Sequence, residues 1–226
     1  MTTLPSMTTA LCTTLVVLAT VGAVLGAGVP ALAQETHDHG SDHAGHGAQV
    51  GRDYEALRDD ASAAERAAAT ELVDETRAAA ARWRDVDAAL ADGFVARRGG
   101  VGPVHYPNLA NRRDAGVLDP DRPEALVYLQ RPNGDPILLG FVYTVNRFQD
   151  RPTPAGELAA WHVHGSPGCH HPDVDPGCAD VRGGMLHVWL YDGVVDPFAD
   201  PMFASMGSPQ AWRSKLYDLA GVARRV

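Results

Sequence analysis

Two apolar runs held apart by a tight turn constrain this chain most. Residues 125–130 and 137–146 are rich in Leu, Val, Tyr and Phe, and Pro132-Asn133-Gly134-Asp135 lies between them. Asn-Gly supplies the positive backbone angles of a two-residue turn, so the pattern predicts an antiparallel hairpin. Phe141, Tyr143 and Val145 alternate with Val142, Thr144 and Asn146, which directs one face to a core. Two further strand-like segments, 161–164 and 185–191, extend the sheet to about four or five strands. Residues 97–111, with Gly99, Gly100, Gly102, Pro103 and Pro107, read as a loop.

Helices flank this β section. Ser62 and Glu65 form a capping box, and the Ala-, Glu- and Arg-rich run to residue 82 carries an apolar stripe through Leu72, Val73, Thr76, Ala79 and Ala80. A short helix over 85–91 closes at Asp92-Gly93. Ser208 followed by Pro209 opens a last helix with Trp212, Leu216 and Leu219 on one side. The expected architecture is α+β: N-terminal helices packed on an antiparallel sheet, with a C-terminal helix, as one domain over 52–226.

Residues 1–33 contain no charged side chain, have an apolar centre over 11–25 and end on Ala31-Leu32-Ala33. This predicts a signal peptide cleaved after Ala33 and a secreted or cell-envelope location; an uncleaved anchor is the alternative. The net charge of −9 falls in the rest of the chain and argues against a nucleic-acid partner. Residues 34–51 hold His37, His39, His43 and His46 among Gly, Ser, Ala and Asp, a composition that cannot build a core. Such a tail either captures Zn or Cu weakly or serves as a hydrophilic spacer.

His162 and His164 are two apart and share a face of any strand over 161–164, and His187 lies on the next strand. Three neutral imidazoles suit Zn or Cu, whereas Mg or Ca prefer oxygen ligands. A fourth ligand is expected from His105, His170, His171, a carboxylate such as Glu157, or water. Four protein ligands make a closed binding site, while three plus water make a catalytic one. The histidines also fit a plain hydrogen-bonding role in an interaction protein. Trp161 and Trp189 flank the outer histidines and are expected to wall the site. Cys169 and Cys178 fit a disulfide in an oxidising compartment, with thiolate ligation as the rival.

Several of these segments together resemble a family of uncharacterised secreted bacterial proteins. The resemblance spans about residues 85–202 and is carried by His105-Tyr106, Arg122-Pro123-Glu124-Ala125-Leu126-Val127-Tyr128, Trp161-His162-Val163-His164 and His187-Val188-Trp189. It implies export and a shared α+β domain, and no particular activity.

Overall fold

The computed structural model describes residues 52–97, 102–146, 148–159, 161–163, 183–200 and 202–221. Asp53 caps α1 (Tyr54–Asp60), its carboxylate accepting from the Ala56 amide. The Ser62/Glu65 capping box then opens α2 (Ala63–Ala80), with both reciprocal bonds present. A 3-10 turn (Ala81–Trp83) leads to α3 (Val86–Ala91), capped by Asp85. Gly93 leaves α3 with φ +92°, a conformation that a side chain would strain.

Four strands follow: β1 (Gly102–Pro107), β2 (Ala125–Gln130), β3 (Ile137–Val145) and β4 (Gly184–Trp189). They lie side by side in chain order, and every pairing is antiparallel. The α+β expectation is therefore borne out, with the hairpin at its centre. The reading of residues 97–111 as a loop is corrected, because β1 occupies its middle. Its glycine and prolines mask a strand whose pairing with β2 comes from tertiary contact. Pro103 and Pro107 are tolerated because β1 is an edge, where a missing amide N–H costs little.

The faces of the sheet carry separate cores. Leu126, Tyr128, Phe141, Tyr143, Leu186 and Val188 pack against Ala69, Leu72, Ala80 and Trp83 of the helical layer. Ala125, Val127, Leu129, Val142 and Trp189 lie with Trp212 and Ala220 of α4 (Pro209–Ala220) on the opposite face. Ser208 caps α4, Pro209 begins it and Gly221 ends it in the left-handed conformation. No helix among the described residues is long and apolar enough to cross a membrane.

A partly buried ion pair ties the layers together. Arg52 donates to Asp196 at 2.5 and 2.8 Å and to the Glu157 and Leu158 carbonyls at 2.9 and 2.7 Å. It thereby fastens the start of the described chain to the loop after β4. Removing one partner of a buried ion pair strands the other charge. Arg52→Ala is thus expected to lower the unfolding free energy by about 2 kcal/mol, less than for a fully buried pair, because Arg52 keeps some contact with water. Urea unfolding checks this, and an unchanged midpoint would overturn it. Glu124 is also buried, at 3 % exposed. It accepts from the Thr144 amide at 2.9 Å, and burial pushes its carboxyl up to about 7.

Candidate metal centre

The site is built on the α4-side face of the sheet, from both edges inward. His105 on β1 stands opposite Val127, which stands opposite Gly140, which stands opposite Trp189. In the neighbouring row, His187 on β4 stands opposite Val142, and Val142 opposite Ala125. Directly opposed residues share a face, so His105, His187 and Trp189 all project to one side. The outer strands of a flat four-stranded sheet lie about 14 Å apart. Yet His105 Nε2 and His187 Nε2 are only 3.2 Å apart. The two rings therefore reach toward each other across the face that Val127, Gly140, Ala125 and Val142 share. A register shift between Val127 and Tyr128 adds local twist in the middle of the sheet.

His162 enters from beyond β4. Its backbone forms an isolated antiparallel bridge with Met185, each amide donating to the other's carbonyl at 2.9 Å. Met185 is two residues from His187, so His162 joins the same face. Within 161–163 the chain makes this bridge and not the longer strand expected. The His162 and His187 rings stack at 4.9 Å with an interplanar angle of 11°, and His187 also stacks on Trp189 at 4.7 Å and 11°. The His105 and His187 rings are 5.5 Å apart and inclined at 21°.

A carboxylate completes the group. Asp200 Oδ1 lies 3.7 Å from His162 Nε2. One donor atom from each of His162, His187 and Asp200 falls within 4.8 Å of the others. These three residues are 0 %, 5 % and 7 % exposed, whereas His105 is half-buried and marks the side nearest solvent. Nitrogens about 2.0–2.1 Å from a tetrahedral metal stand roughly 3.3–3.4 Å apart. The 3.2 Å between His105 and His187 is close to that edge, and also suits one imidazole N–H donating to the other ring.

Of the residues singled out from sequence, the structure brings together His162, His187 and His105. His164, Cys169, His170, His171, Cys178 and the tail residues His37, His39, His43 and His46 lie outside the described residues. Glu157 is corrected as a candidate fourth ligand: it is exposed on a 3-10 turn (Gly156–Leu158), where its carbonyl holds Arg52. Trp161 is corrected as a wall of the site. It belongs to the helix-side core, and its indole N–H donates to the Pro152 carbonyl. Asp200 was missed. Its one sequence signal is a carboxylate set in an otherwise apolar run, Phe198-Ala199-Asp200-Pro201-Met202-Phe203.

Fold and site together give an α+β domain in which His162, His187 and Asp200 cluster on one face of an antiparallel sheet, with His105 against His187. Comparison with protein-family models, with curated proteins and with solved structures finds no match to this chain.

Proposed function

We propose that this chain is an exported protein that binds a transition metal, Zn or Cu, through His105, His162, His187 and Asp200. The observation that carries the proposal is the convergence of His162, His187 and Asp200, from the bridge, β4 and the loop after it, with donor atoms within 4.8 Å of one another, and with His105 of β1 joined to them through His187 at 3.2 Å. Gathering three imidazoles and a buried carboxylate is costly unless a cation or a satisfied network compensates. A borderline metal does both, and the nitrogen-rich donor set suits Zn or Cu. The exported location rests on residues 1–33, which carry an uncharged apolar segment ending on Ala31-Leu32-Ala33. The histidines of 34–51 would add weak capture sites of the same chemistry.

Elemental analysis of a variant lacking residues 1–48 tests the proposal without interference from the tail. After exchange into metal-free buffer, the expected result is about one equivalent of Zn or Cu per chain, lost in His162→Ala/His187→Ala. Substoichiometric metal that the double substitution leaves unchanged would overturn it, and would leave the histidines in a hydrogen-bonding role.

A second reading, a metalloenzyme, draws on the position of Asp200. At 3.7 Å from His162 Nε2 the carboxylate is placed to orient that ring as well as to ligate. As an orienting group it leaves three histidines and an open position for water on the His105 side. Azide or cyanide perturbing the visible spectrum of the Co-substituted protein would favour this reading, and a spectrum indifferent to both anions would favour the closed site.

A further inference from the structure

Trp189 makes contacts that packing alone does not require. Its indole lies against His187, 4.7 Å away and 11° from parallel. Its Nε1–H donates to the Ala199 carbonyl at 2.9 Å, and Ala199 immediately precedes Asp200. Its own backbone amide donates to the Pro197 carbonyl at 2.8 Å. The other end of that short loop is held independently, since the Asp196 carboxylate accepts from Arg52 and from the Phe198 amide. Trp189 is 1 % exposed. Space for it is left by Gly140, where a Cβ would come within 2.4 Å of the Val188 carbonyl oxygen and 3.1 Å of Trp189 Cε3.

We propose that Trp189 is the positioning residue of the cluster, a single indole that sets both the plane of the His187 ring and the place of Asp200. It contacts the His187 ring and the carbonyl that precedes Asp200. Its role rests on the metal-binding reading only where metal affinity is the readout. Groups that orient metal ligands typically contribute ten- to a hundredfold to affinity. Trp161 has no such role, because it lies in the helix-side core and its indole N–H is spent on Pro152.

The test compares Trp189→Phe, which keeps an aromatic face but lacks the N–H, with Trp212→Phe. Trp212 lies in the same core, and its ring contact is with Tyr191 at 5.3 Å. Zn competition titration is expected to show about tenfold or weaker binding for Trp189→Phe, with stoichiometry retained, and no change for Trp212→Phe. In the metal-free proteins, imidazole 15N resonances of His162 and His187 are expected to move in Trp189→Phe alone. Should that variant fail to fold, benzothienylalanine at position 189 keeps the two-ring shape and removes only the donor. Wild-type affinity together with unmoved imidazole resonances would overturn the role of Trp189. If the wild-type protein binds no Zn, the proposed function fails, and the resonances of the metal-free proteins alone decide the positioning claim.

Discussion

Replacing His187 with alanine is expected to weaken Zn binding by two to three orders of magnitude. The apparent binding free energy of a four-ligand structural Zn site, about 10–16 kcal/mol, corresponds to roughly 2.5–4 kcal/mol per ligand. His187 is the hub of the cluster: its ring stacks on His162 and on Trp189, and its Nε2 faces that of His105 at 3.2 Å. His105→Ala should cost less, because His105 is half-buried and water can replace its imidazole from the solvent side. Competition titration with a chromophoric chelator measures both variants. Equal effects of the two substitutions, or none from His187→Ala, would remove His187 from the centre of the site.

The second large effect concerns stability and pH. Burial raises the Glu124 carboxyl from 4.5 to about 7, so the folded chain keeps its proton over a pH range in which the unfolded chain has lost it. Desolvation is the largest cause, and the charge of Asp114 adds to it, while the Thr144 amide opposes both. Below pH 4.5 folded and unfolded chains both carry the proton. Between there and about 7 the unfolded chain has released it and the folded chain has not. Stability contributed by this group therefore falls as pH rises through that window, by about 3 kcal/mol in all, and levels off above it. Glu124→Gln retains an acceptor for the Thr144 amide and cannot ionise. It should be favoured over the wild type by about 2–3 kcal/mol more at pH 8 than at pH 5. Urea unfolding at the two pH values gives the difference, and parallel profiles would show that the fold does not raise the Glu124 carboxyl above its unfolded value.

Local chemistry was legible in the sequence to the extent that it is local in the structure. Ser62 with Glu65, Asp85, and Ser208 with Pro209 mark helix starts through bonds that span only a few residues. The β2–β3 hairpin follows from its turn and its alternation. By contrast, β1 is hidden behind Gly102, Pro103 and Pro107, because its existence depends on a partner strand that is not adjacent in sequence, Pro107 pairing with Ala125 and Gly102 with Gln130. The site divides in the same way. The period of two and the expectation of a following strand suffice to pair His162 with His187. His105 was chosen as an isolated ligand type, with no means of seeing that β1 would face it across the sheet. Asp200 acquires its position from the indole of Trp189 and the Arg52 clamp at Asp196, neither of which leaves a spacing to read.

The strand order β1-β2-β3-β4 has a kinetic consequence. Each neighbouring pair forms between consecutive strands, whereas the approach of His105 to His187 joins residues 82 apart, on opposite edges. Closing that distance carries a loop entropy that is repaid only after the intervening strands are in register. A ligand bridging the two histidines would recognise no partial hairpin, only the completed sheet. Its binding free energy would then fall mainly on the unfolding rate, retarding escape from the native state while leaving the folding rate almost unchanged.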